Sequence, residues 1–172
     1  MKVQKIALLG VLLDATIVIA IAESFIPSFT IPGIKLGFAN IVILVTLYEV
    51  GVKESIFINL VRVLVVSLVR GTFLSMGFFM SLTGAVFSLG IMILFYLLIK
   101  KFSIIGVSVI GSLFHVTGQI IIAMIYMGTP YVVFYLPIIA ASALVTGVIV
   151  GFVARAIIKT GVIKRQREKY NF

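Results

Sequence analysis

The chain has 172 residues, of which 62% are hydrophobic and only 11% are charged, and its formal net charge is +9. A soluble domain of this length leaves much of its surface in water and cannot hide so much apolar surface, so the composition excludes a soluble globular protein. The absence of cysteine excludes disulfides and cysteine-bound metals. The basic residues fall in short pieces between apolar runs, a distribution typical of membrane orientation rather than of nucleic-acid binding.

Six apolar runs follow one another along the chain and predict transmembrane helices, the open-ended structure that satisfies backbone groups in lipid. We place them at about 6–26, 36–50, 55–70, 76–99, 104–127 and 131–158, followed by a basic tail at 159–172. The second and third runs are short, near 15 residues each. The fold class predicted is therefore an all-α membrane protein, with one integral membrane domain over residues 1–172.

The distribution of Lys and Arg predicts the orientation of these six helices. Eleven basic residues lie on the side that holds both termini, whereas only Lys35 and Arg70 lie on the other side and Arg62 lies inside a run. The positive-inside bias therefore predicts a multi-pass protein of the cell membrane with both termini in the cytoplasm. The outer connections include "PSFTIPGIKLG" and "RGTFLSMG", which are rich in Gly, Ser, Thr and Pro.

Ionisable residues inside the runs are costly in lipid, so each requires a partner or a purpose. Asp14, Arg62 and His115 lie near the middle of their runs, whereas Glu23 and Glu49 lie nearer to run ends, where water reaches them more easily. Two interpretations of Asp14 and Arg62 stay open at this point. They form a structural ion pair, or Arg62 belongs to a binding site.

Polar and small residues recur at helical spacing in three consecutive runs. They are Ser55, Asn59, Arg62 and Ser67 in the third run, Gly77, Ser81, Gly84 and Ser88 in the fourth, and Ser108, Ser112, His115 and Gln119 in the fifth. Small residues usually serve helix packing in membranes, and this is the interpretation favoured for the fourth run. The polar stripes together predict a pocket that opens to the outer face and attracts an anion, because a guanidinium fork suits carboxylate and phosphate.

Independent catalysis is not expected of this chain. Asp14 is its only aspartate and it has four glutamates, so it lacks the two Asp-rich motifs with which the usual prenyl diphosphate synthases hold magnesium. It also has no phosphate-binding loop of the Walker type and no zinc-protease or nucleophile motif. We predict that the protein is not an enzyme and has no catalytic residues, no metal ligands and no cofactor.

The stretches "FIPSFTIPGIKLGFANIV", "NLVRVLVVSLVRGTFLS", "SLTGAVFSL" and "GSLFHVTGQ" carry a family resemblance. From about residue 6 to 158 the chain resembles the Gx transporter family, also described as heptaprenyl diphosphate synthase component I. That family looks like the substrate-binding S-components of energy-coupling factor (ECF) transporters, six-helix proteins that capture vitamins from outside. The resemblance implies an S-component-like bundle, with an ECF coupling subunit and two ATPases as partners. The first run lacks the Ala-xxx-Ala spacing that S-components often use for docking.

By the same resemblance, "IPGIKLGFAN" at 31–40 is a lid over the substrate. The candidate substrate-binding residues are Lys35, Asn40, Asn59, Arg62, Arg70, His115 and Gln119. The function predicted is capture and transport of a small anionic molecule of the vitamin or cofactor type, either a flavin or an isoprenoid or quinone precursor. The alternative is a non-catalytic membrane subunit that recruits a soluble prenyl diphosphate synthase through the basic tail, although such a tail also suits anionic lipid in the bilayer.

Overall fold

The computed structural model of the protein describes residues 2–23, 25, 37–99 and 102–170. Throughout this part of the chain the regular structure is helical, without a strand, which confirms the predicted all-α class. The helices are α1 (Lys2–Glu23), α2 (Asn40–Glu49), α3 (Val52–Val69), α4 (Met76–Leu98), α5 (Ile104–Met127), α6 (Leu136–Thr160) and α7 (Val162–Tyr170), with a 3₁₀ turn at Pro130–Tyr135.

Four stretches of this structure are long and apolar enough to cross a membrane: α1, α4, α5, and the 3₁₀ turn continued by α6. The protein is therefore a multi-pass membrane protein, as predicted. α3 has 18 residues but carries three charged side chains, so its crossing stays a prediction, as does the cytoplasmic location of both termini. The bounds predicted for the fifth run, 104–127, coincide with those of α5.

The second run differs from its prediction, because α2 is a short helix and not a full span. Its ten residues extend about 15 Å, against a hydrocarbon core of about 30 Å. The helix starts late because Gly37 adopts a positive φ of 87° and the chain turns before Asn40. Seven of its ten side chains are buried, and it packs against α1, α3 and α6. α2 is thus enclosed by other helices, which explains why it is apolar all round.

α5 packs closely between α4 and α6, and glycines make this possible. A methyl group on Gly118 would come within 2.9 Å of the backbone of Thr83, and one on Gly84 within 2.9 Å of the backbone oxygen of His115. On the other side, a methyl group on Gly147 would come within 2.8 Å of the Cα atom of Val109. The packing interpretation of the fourth run is therefore confirmed at Gly84.

α1, α3 and α4 meet at one end of the bundle, where α1 and α3 end and α4 begins. α3 packs against both α1 and α4, and α4 brings α5 alongside. At the opposite end, Lys5 of α1 forms an ion pair with Glu54 of α3 at 2.6 Å. Residues of α1, α3, α4 and α5 enclose a space towards the first end, and several of the side chains that line it are polar.

Candidate functional site

A cavity with a mixed lining lies between α1, α3, α4 and α5, and Ala20, Val63, Val66 and Phe78 form its apolar part. Its polar lining consists of Glu23, Arg62, Ser67, Thr72, Ser81 and His115, together with the backbone of Gly37 and Gly77. The cavity has a volume of about 30 Å³. That volume suits a few water molecules, whereas pockets for cofactor-sized ligands occupy about 300–1,000 Å³. A molecule of that size therefore requires a wider cavity than the one described.

Arg62 is the charged group that α3 brings to the cavity wall, and its side chain is 6% exposed. Its Nη2 donates a hydrogen bond to Oδ1 of Asn59 over 2.8 Å, and Nδ2 of Asn59 donates to the backbone oxygen of Ala85 over 3.0 Å. These bonds tie the guanidinium to α4. The Nε–H of Arg62 has no hydrogen-bond partner among the described residues. The guanidinium is therefore held in place by Asn59 while its Nε–H remains without a partner among the described residues.

Glu23, at the end of α1, is the acidic side chain of the cavity. It is 6% exposed, and its Oε1 accepts a hydrogen bond from the backbone N–H of Gly37. Its negative charge attracts the guanidinium of Arg62 without a direct hydrogen bond between them. Glu23 lies near the end of its apolar run and is not among the site residues predicted from the sequence. The signal that could have found it is the need of a buried Arg62 for a nearby acid.

Asp14 does not partner Arg62, so the structural ion pair between them is wrong. Asp14 is exposed on α1 and makes no hydrogen bond or ion pair with any described residue. The reason is the helical period: Asp14 and Glu23 are nine residues apart, which places them on opposite faces of α1. Only the face that carries Glu23 turns towards α3.

A second group of polar side chains lies beside the cavity. Nδ2 of Asn40 donates to Oγ of Ser88 over 3.2 Å, and Nε2 of Gln119 donates to Nε2 of His115 over 2.8 Å. Gly37 lies against both groups, because a methyl group on it would come within 3.3 Å of Asn40 and 3.6 Å of His115.

The structure brings together five of the seven predicted site residues. Arg62 and His115 line the cavity, and Asn59, Asn40 and Gln119 support it from behind. Arg70 is exposed at the end of α3 and is not among the described lining residues. Lys35 and most of the predicted lid, residues 31–36, lie outside the described residues. Of that stretch only Gly37–Asn40 is described.

Four serines of the polar stripes donate hydrogen bonds in two different ways. Ser55, Ser67 and Ser81 donate to carbonyl groups of their own helices, as hydroxyls in membrane helices commonly do. Ser108 instead donates to the backbone oxygen of Gly147 over 2.7 Å and joins α5 to α6. Most of the stripe is thus satisfied by local bonds and by packing, and the chemistry is concentrated in Arg62, Glu23 and His115.

The negative charge of Glu23 offsets part of the positive charge of Arg62, and His115 is held by its hydrogen bond to Gln119. No group of three potential metal-ligating side chains occurs within the part of the chain that the structure describes. The arrangement can exchange hydrogen bonds with a polar molecule, and it offers an anion one fixed guanidinium.

Comparison with known proteins identifies one family. Residues 12–157 match the family described as heptaprenyl diphosphate synthase component I, and this match covers most of the chain. No curated protein and no solved structure matches the chain.

Proposed function

The chain belongs to the heptaprenyl diphosphate synthase component I family, and we propose that it is a membrane substrate-binding protein that holds a small anionic molecule at Arg62. The observation that carries this proposal is the burial and incomplete hydrogen bonding of the Arg62 guanidinium. It is buried at a cavity wall, fixed by Asn59, and has an Nε–H without a partner among the described residues. A carboxylate or phosphate would accept from that Nε–H and from a terminal nitrogen together.

A purely structural role for Arg62 is less consistent with its contacts. An arginine kept for stability would be expected to bond directly to its acid, because an unpaired buried charge is costly. Here Glu23 uses its Oε1 for the N–H of Gly37 and attracts Arg62 only through space. We infer that an anion takes the position facing Arg62, with Glu23 as the more distant counter-charge of the guanidinium.

The proposal includes a wider bound conformation. The described cavity of about 30 Å³ holds water and not a flavin or a prenyl diphosphate. We propose that the protein takes its substrate from the outer face of the cell membrane, as S-components do, with an ECF coupling subunit and ATPases as partners. The candidate substrates are a flavin and an isoprenoid or quinone precursor, both of which carry an anionic group when phosphorylated.

The experiment is native mass spectrometry of the gently purified full chain, with Arg62→Gln and Arg155→Gln as matched variants. Arg155 is an exposed arginine of α6, far along the chain from the cavity residues. We expect a stoichiometric small anion on the wild type and on Arg155→Gln, and its loss from Arg62→Gln. A ligand that stays bound to a folded Arg62→Gln variant would contradict the assignment of Arg62.

A second candidate function is that of a non-catalytic subunit that recruits a soluble prenyl diphosphate synthase. The family description favours it, and so does α7, whose Arg167 donates through Nη1 to the backbone oxygen of Glu49 and so fixes this basic helix against the bundle. Deletion of residues 164–172 separates the two functions. A recruiting subunit loses its synthase in a pull-down with the purified enzyme, whereas a substrate-binding protein keeps its small molecule.

A further inference from the structure

The outward face of α1 combines an acidic side chain with small residues. Ala7, Gly10, Asp14 and Val18 recur at steps of three and four residues and are all exposed. Gly10 faces open space, since a methyl group on it would touch nothing within 4 Å. α1 is also the least buried of the four candidate spans. This face therefore has no covering among the described helices.

Asp14 lies at a depth where an ionised carboxylate is most costly in a membrane. It follows the first residue of α1 by 12 positions, about 18 Å along the axis, and lies near the middle of the apolar span Val3–Glu23. Ionisable residues at that depth almost always face the interior of a bundle or a water-filled cavity. Asp14 does neither within the described structure, and it has no hydrogen bond or ion pair there.

The described part of the chain offers no cation to this carboxylate. The basic side chains at comparable depth are those of Arg62 and His115, and both are buried at the cavity that Glu23 lines, on the opposite face of α1 from Asp14. Arg62 is engaged with Asn59, and His115 with Gln119. A second copy of the chain, packed through α1 about a two-fold axis, would oppose Asp14 with Asp14, and like charges at such depth repel.

We propose that the Ala7–Gly10–Asp14 face of α1 is an intramembrane docking surface for a helix of another protein that carries a Lys or Arg at matching depth. The small residues let the two backbones approach, and Asp14 pairs with the basic side chain. The proposal concerns the lipid-facing side of α1 and does not depend on what the cavity binds. It commits to a cationic helix as the occupant.

The test uses the full chain in liposomes with synthetic transmembrane helices of known sequence. Three Leu- and Ala-rich helices carry Lys, Leu or Glu at the centre, and energy transfer between fluorophores reports association. We expect the Lys-centred helix to bind the wild type about tenfold more tightly than the Leu-centred helix. The preference should vanish in Asp14→Leu and persist in Val18→Leu, which alters an exposed apolar residue of the same face. Asp14→Lys should instead prefer the Glu-centred helix.

Three outcomes would overturn the proposal. The first is equal binding of the Lys-centred and Leu-centred helices to the wild type. The second is self-association of the wild type that Asp14→Leu abolishes, which would identify a second copy as the occupant. The third is loss of folding in Asp14→Leu, because a lipid-facing or partner-facing residue tolerates this change in the isolated protein. Unchanged or raised heat resistance of Asp14→Leu, together with the charge preference, supports the docking surface.

Discussion

α1 and α5 are both long apolar helices, but they are packed in opposite ways. α5 is the most buried of the candidate spans and lies between α4 and α6, whereas α1 is the least buried although both contain a long apolar span. Hydrophobicity therefore does not decide which helix lies inside, because lipid tails are as apolar as leucine. Small residues and interhelical hydrogen bonds decide it, since Gly118 of α5 lies against the backbone of α4 whereas Gly10 of α1 faces open space.

The largest expected effect comes from filling the glycine contact of α5. Gly118→Leu would force a side chain against the backbone of Thr83, and we expect a loss of about 3 kcal/mol in the free energy of unfolding, or failure to fold. Gly10→Leu in α1 is the matched variant and should change little, because its site is open. Unfolding in mild detergent by steric trapping measures both. Equal destabilisation by the two variants would break the comparison.

The two acids of α1 should differ in the same way. Glu23→Leu removes the acceptor of the Gly37 N–H and the counter-charge of Arg62, so we expect a loss of about 2 kcal/mol in unfolding free energy. Asp14→Leu should cost nothing. Thermal unfolding of the two variants, followed by circular dichroism, is the measurement. A larger loss from Asp14→Leu would show that its face is covered within the chain.

A smaller effect is expected at the contact between α5 and α6. Ser108→Ala removes the hydrogen bond to the backbone oxygen of Gly147, and such bonds in membranes contribute about 0.6–1.7 kcal/mol. Ser142→Ala serves as the control, because Ser142 is exposed and its hydroxyl bonds to its own helix. Unfolding free energies of the two variants should therefore differ by about 1 kcal/mol in favour of the control.

The smallest effect concerns the ion pair between α1 and α3. Partial burial alone would raise the pKa of the Glu54 carboxyl, but the hydrogen bonds to it and the charges of Lys5 and Lys53 outweigh that and lower its pKa. A lowered folded-state pKa means that the stabilisation is complete above the pKa of an unfolded glutamate. It is lost as the pH falls through the lower folded value.

Hydrogen exchange of the first turns of α1 and α3, followed from pH 7 to pH 3, tests this. In the wild type, the exchange rate relative to the intrinsic rate should rise in the acidic part of that range. Glu54→Gln should already exchange faster at pH 7 and show a weaker dependence on pH. A wild type whose exchange, corrected for the intrinsic rate, does not change with pH would contradict the role of this pair.

The sequence predicted the parts of the fold that depend on one helix at a time. The bounds of α5 and the inward faces that carry Arg62 and His115 follow from apolar run length and helical period. The second run was predicted to be short, but the start of α2 at Asn40 rather than near residue 36 was not predicted, because hydropathy alone does not register the turn at Gly37. The partner of Arg62 was missed for a related reason. Period fixes the face of a residue on its own helix, but it does not fix which neighbouring helix that face meets.

The shortness of α2 has an electrostatic consequence for the cavity. The aligned peptide dipoles of a helix place about half a positive charge at its N-terminus. α2 begins at Asn40, beside Gly37 and the cavity, and it is enclosed by other helices. This field is therefore screened less than at a helix end that is fully exposed to water. Part of the positive potential beside the cavity therefore comes from the backbone of α2, and this part would remain if every cationic side chain around it were removed.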